Sequence, residues 1–178
     1  VRLSEHHEIP VDGTLRINLS EPFSKGLSAD QPDLEVGSLQ IVQSWRRPGL
    51  RGTTRAQIEV LTPNSTCAVH TQAPGPKALH RFSALCRPSE ERLFYTVVNP
   101  SKRPVRLRAE CRIDGDEVNW ASDAAVPAQG AILAEIKPTL APEEPERPID
   151  LRWRIDGPNK LHILCASPQL ERFSIDHL

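Results

Sequence analysis

Proline is spread along the whole chain, 17 in 178 residues, and it sets the first limit on the fold. Inside a helix a proline removes a backbone donor and clashes with the preceding turn, a loss of about 3 kcal/mol. Few windows long enough for an ordinary helix are free of one. The best helical reading, over residues 88–95, amounts to a single turn ahead of a strand. What survives is alternation of apolar and polar residues, the period of a strand with one buried face. In residues 104–113, Val105, Leu107, Ala109, Cys111 and Ile113 share one face; Arg106, Arg108, Glu110 and Arg112 share the other. Residues 149–156 repeat the pattern, with Ile149, Leu151, Trp153 and Ile155 directed inward.

Further strands are expected at 14–19, 39–45, 54–61, 67–71, 79–86, 93–98, 118–121, 131–136 and 161–165. Short strands this close together, with one apolar face each, predict an all-β, antiparallel β-sandwich. Asp114-Gly115 and Asp156-Gly157-Pro158-Asn159 predict two hairpin corners, because glycine accepts a positive φ. Residues 138–148 hold four prolines and three glutamates, a stiff, solvated connection. Too few residues follow it for an independent domain. Residues 1–178 are therefore read as one sandwich domain, with 138–148 a long loop that returns the last hairpin to the same body.

Phe94-Tyr-Thr-Val-Val-Asn-Pro-Ser-Lys-Arg-Pro-Val-Arg-Leu-Arg-Ala-Glu-Cys111 reads as strand, Asn-Pro-Ser turn, strand. Val126-Pro-Ala-Gln-Gly-Ala-Ile-Leu-Ala-Glu-Ile136 reads as proline, glycine, returning strand. In this order residues 94–136 resemble bacterial immunoglobulin-like β-sandwich domains, without the Cys…Trp…Cys spacing of antibody domains. The resemblance implies the sandwich and no activity.

The four cysteines, Cys67, Cys86, Cys111 and Cys165, include no C-x-x-C, which argues against structural zinc. Of the three pairings open to them, strand phase favours Cys67–Cys86 and Cys111–Cys165. Two disulfides would place the chain in an oxidising compartment: periplasm, cell surface or secreted. The chain starts at Val1 and holds no Met, so it reads as a processed form or a fragment; a removed signal peptide fits this, and so does a trimmed membrane anchor. No apolar run approaches the length that spans a bilayer.

Catalytic signatures are weak. The sequence holds no G-x-S-x-G elbow, P-loop or G-x-G-x-x-G. Adjacent His6 and His7, flanked by Glu5 and Glu8, would point to opposite faces of a strand, which disfavours a shared metal ion. His70 and His80 flank the 72–77 loop and suit a structural role. Net charge is −1, which offers no general attraction to nucleic acid. The best interaction candidate is the loop carrying Trp45, Arg46, Arg47, Arg51 and Arg55, since exposed Trp and Arg anchor interfaces. The outward row Arg103, Arg106, Arg108 and Arg112 is a second basic feature, able to pair with the acidic 143–146 stretch or an anionic partner. The expected function is a non-catalytic, extracytoplasmic protein-interaction module, an accessory subunit of a membrane-bound or envelope assembly, with no cofactor and no metal. The alternative is a small-ligand or carbohydrate-binding sandwich.

Overall fold

The computed structural model describes residues 6–9, 13–18, 57–62, 65–70, 78–87, 90–114, 117–140, 146–169 and 173–177. The chain divides into two units, Val1–Glu35 and Val36–Leu178. In the first, the described residues are exposed and carry no regular structure, so the strand expected at 14–19 is absent over 14–18. The strand expected at 39–45 lies outside the described residues.

In the second unit the strands are β1 (Gln57–Thr62), β2 (Ser65–His70), β3 (Leu79–Cys86), β4 (Arg92–Val98), β5 (Val105–Ile113), β6 (Glu117–Val126), β7 (Ala131–Ile136), β8 (Arg147–Ile155), β9 (Lys160–Ala166) and β10 (Phe173–His177). Nine of these overlap expected strands. The tenth, β10, was missed, although Phe-Ser-Ile-Asp-His alternates as the others do. No helix occurs among the described residues. The turn expected near residue 88 closes at Arg87, whose carbonyl accepts from the amides of Glu90 and Glu91.

All pairings are antiparallel. A first sheet has the order β3-β8-β5-β6 and a second β10-β9-β4-β7. The β1-β2 hairpin forms its own ladder, and β2 runs beside β10. The inward residues of both sheets make one core: Val105, Leu107, Ala109 and Cys111 of β5, Ile149, Leu151, Trp153 and Ile155 of β8, Tyr95 and Val97 of β4, Leu161 and Ile163 of β9. Every inward position of β5 up to Cys111, and all four of β8, follow the alternation in the sequence. Tyr95 packs edge-on against Trp153, with centroids 5.9 Å apart, and against Trp120, at 6.4 Å. Such edge-to-face pairs satisfy the aromatic quadrupoles at close packing.

Taken in chain order as strands A to G, β3–β9 group as A-F-C-D and G-B-E. The immunoglobulin constant arrangement groups ABED and CFG. The central pairs B–E and C–F are common to both. Here A pairs with F, D with C and G with B, so the edge pairings differ from that arrangement.

One corner departs from expectation. Asp114 adopts a φ of 52° and closes the β5–β6 hairpin. Asp156-Gly157-Pro158-Asn159, by contrast, carries the chain from β8 in the first sheet to β9 in the second, so it is a crossover and not a hairpin. Gly157 has φ 150°, and a Cβ there would stand 2.8 Å from Val105 Cγ1. The same dipeptide thus occurs at two different connections, and at the second it is Gly157 that supplies the backbone freedom.

A second connection is held by a buried side chain. Asn99, fully buried, donates through Nδ2 to the carbonyls of Arg103 (2.8 Å), Pro127 (2.9 Å) and Val126 (3.3 Å). Its Oδ1 accepts from the Ser101 amide (2.9 Å) and hydroxyl (2.7 Å). The Asn99 amide donates to Gly130 O at 2.8 Å. The Asn-Pro-Ser turn between β4 and β5 is thereby tied to the Pro127–Gly130 crossing between β6 and β7.

Candidate functional site

The loop bearing Trp45, Arg46, Arg47, Arg51 and Arg55 lies outside the described residues. His6 and His7 are exposed in the first unit, and among the described residues no group of three or more His, Cys, Asp or Glu side chains is placed to hold a metal ion. His80 is buried, and its Nε2 lies 2.9 Å from Asn159 Oδ1. Asn159 Nδ2 donates to Gly157 O at 2.9 Å, which fixes Oδ1 toward the imidazole as the acceptor. His80 therefore braces the β8–β9 crossover, a structural role.

The expected disulfides do not form. Cys86, Cys111 and Cys165 are thiols, which removes both predicted pairs; the Cys67 side chain lies outside the described residues. Strand phase placed Cys86 and Cys111 correctly, both buried on inward faces, but it could not supply neighbours. A disulfide needs Cα atoms within about 7 Å. Within the ladders no cysteine stands opposite another: Val60 faces Cys67, Arg147 faces Cys86, Trp120 and Leu151 face Cys111, and Leu93 and Ser174 face Cys165. The consecutive strands β2 and β3 do not pair, so their cysteines are not cross-strand partners. Burial pushes the Cys111 and Cys165 thiols up to about 11. For Cys86 burial first, then the nearby Glu91 carboxylate, acts in the same direction. Thiols held neutral in this way are poor nucleophiles.

The feature that stands out is the outer face of the first sheet. Its outward positions are Leu79, Arg81, Ser83 and Leu85 on β3; Asp150, Arg152 and Arg154 on β8; Arg106, Arg108, Glu110 and Arg112 on β5; Val118, Ala121, Asp123 and Ala125 on β6. Arg81, Arg106, Arg108 and Arg154 are exposed. Six arginines thus share a four-stranded surface with three carboxylates, a local charge of +3 on a chain whose net charge is −1.

Charge is unevenly matched across this surface. Arg112 pairs with Glu110 at 3.4 Å, and Arg152 with Asp150 at 2.6 Å, where Ser83 also donates at 3.3 Å. Among the described residues, Arg81, Arg106, Arg108 and Arg154 have no ion pair. Arg108 stands directly opposite Arg154, and Arg81 opposite Arg152. Asp123 faces Arg108 from β6 without closing a salt bridge. The acidic connection does not cover the arginines with its described glutamate: Glu146 pairs with Arg87 at 2.7 Å, on the β3–β4 connection. Part of this row, Arg106, Arg108 and Arg112, was legible in the alternation of β5. The contributions of Arg81, Arg152 and Arg154 required the strand order.

The described aromatic side chains are engaged elsewhere. Tyr95 and Trp153 are buried, Trp120 and Phe82 half-buried. Phe94 is buried under the Arg92 guanidinium, 4.9 Å from its centroid, and Arg92 is held by Glu135 at 2.9 Å. No protein-family model and no curated protein sequence matches the chain.

Proposed function

We propose that this chain is a non-catalytic protein-interaction module, an accessory subunit of a membrane-bound or envelope assembly on the extracytoplasmic side, built on an immunoglobulin-like sandwich. The observation that carries the reading is the outer face of the first sheet. It is broad, open, and rich in exposed arginine, the cation that most often anchors interfaces. A rigid two-sheet core holds those side chains in fixed register, so a partner meets a preorganised surface. The extracytoplasmic part was expected from the disulfides, and the unpaired thiols lend it no support; fractionation decides it.

The test uses photo-crosslinking in the source cells. A crosslinking amino acid in place of Ala121 or Ala125, both exposed on this face, should yield a discrete protein adduct. The same replacement at Lys137, which follows β7 of the other sheet, should not. Absence of adducts from both face positions would refute the interaction reading. Fractionation checks the compartment, and recovery with the soluble cytoplasm would refute that part.

A further inference from the structure

We propose that the outer face of the first sheet docks a carboxylate-rich, extended segment of a partner protein. The inference rests on the interaction reading above and specifies the partner's chemistry. Its first support is an electrostatic mismatch. Like charges directly opposed across a ladder are destabilising, yet Arg108–Arg154 and Arg81–Arg152 are adjacent pairs of this kind. Neighbouring pairs on the same strands are matched, Arg112 with Asp150 and Glu110 with Arg152. Arg112 and Arg152 are neutralised by Glu110 and Asp150, and the excess positive charge is left on Arg81, Arg154, Arg108 and Arg106. A bound anion would relieve that repulsion.

The second support is spacing. Opposed side chains stand about 5 Å apart at Cβ, and alternate residues along a strand stand roughly 6.7 Å apart. An extended peptide presents its own alternate side chains at that same interval, so carboxylates at every second residue match Arg152 and Arg154 along β8 or Arg106 and Arg108 along β5. The planar guanidinium takes a carboxylate in two parallel bonds. The third support separates a protein from a continuous polyanion. Leu79 and Leu85, 44% and 53% exposed, flank Arg81 on the same face of β3. They provide apolar contacts for a peptide side chain. Asp150, Glu110 and Asp123 interrupt the positive field, which suits spaced charges better than an unbroken phosphate or sulfate run.

The experiment measures anisotropy of a labelled acidic peptide, about a dozen residues long, with Glu alternating with Leu and Ser. It should bind the protein, and a matched peptide with Gln for Glu should not. Arg108→Gln with Arg154→Gln should weaken binding by about tenfold or more, roughly the loss of one charged contact. The melting temperature of that variant should be unchanged or raised, which a merely structural arginine pair would not produce. Leu79→Ser should also weaken the peptide, and Lys137→Gln should leave it unaffected. The proposal is overturned if the acidic peptide does not bind, if the double variant binds it equally well, or if the Gln peptide matches it. Tighter binding of a sulfated oligosaccharide, single-stranded DNA or anionic phospholipid vesicles would also overturn it. Adducts from Ala121 or Ala125 that persist alongside such a failure would leave the interaction reading standing. Loss of both would remove both.

Discussion

Replacing Asn99 by Ala should be among the most damaging single changes outside the apolar core. The side chain is fully buried and serves five hydrogen bonds, three to carbonyls of the 103 and 126–127 segments and two from Ser101. A hydrogen bond contributes only about 1 kcal/mol net, but a buried group left without its partner loses about 1–3 kcal/mol. Arg103 O and the Ser101 hydroxyl lie near the surface and regain water in the variant. Pro127 O keeps the Gly130 amide at 3.2 Å, whereas the bond to Val126 O is buried; that unmet carbonyl and the lost bonds together make the expected loss about 3 kcal/mol. For an urea slope of about 2 kcal/mol/M this moves the midpoint down by about 1.5 M, readable by fluorescence of the buried Trp153. Asn99→Asp is the discriminating control. It preserves volume and can still accept from Ser101, but its carboxylate faces carbonyls it cannot donate to. It should be destabilised at least as much as the Ala variant. If Asn99→Ala loses less than about 1 kcal/mol, or Asp is tolerated, the side chain is packing rather than clamping.

Four other outcomes follow from the same structure. Denatured, unreduced protein should show Cys86, Cys111 and Cys165 as free thiols by alkylation and peptide mapping, with Cys111 protected in the native state. Because folding raises the Cys111 and Cys165 thiols from 9.0 to about 11, their contribution to stability is full below the unfolded value. It is lost as pH rises through the folded one, so Cys111→Ala should flatten the alkaline fall in stability measured by urea titration. Glu135 shows the opposite sign: the hydrogen bond from Arg92 first, then the one from Lys137, hold its carboxyl below 4.5. Its stabilisation is present above the unfolded value and lost as pH falls through the lower folded one, so Glu135→Gln should be less acid-sensitive than the parent in the same titration. Gly157→Ala should lose about 2–4 kcal/mol, combining an unfavourable φ with overpacking against Val105. In a Val105→Ala background the loss should shrink without vanishing, since the backbone strain remains; a fully additive double variant would contradict the contact.

What the amino-acid order determined by itself is local. Proline excluded long helices, and alternation found nine of the ten strands, missing β10 and marking 14–18 where none forms; in β5 and β8 it named the buried residues, because side chains on a strand point to opposite faces whatever lies beyond. It also exposed Arg106, Arg108 and Arg112 as one row. It erred where neighbours matter. Cys111 and Cys165 are both on inward faces, but each enters the core from its own sheet, and no phase argument tells which residues meet across the sandwich. Asp156-Gly157 looked like the Asp114-Gly115 corner, yet it crosses between sheets, because glycine permits the bend without dictating its destination. Tertiary structure alone set Arg154 against Arg108 and Arg152 against Arg81, residues separated by dozens of positions in the chain. A β-ladder brings distant segments within 5 Å of one another, so the charge surface on which the functional proposal stands is a property of strand order and register, fixed only when the sheets assemble.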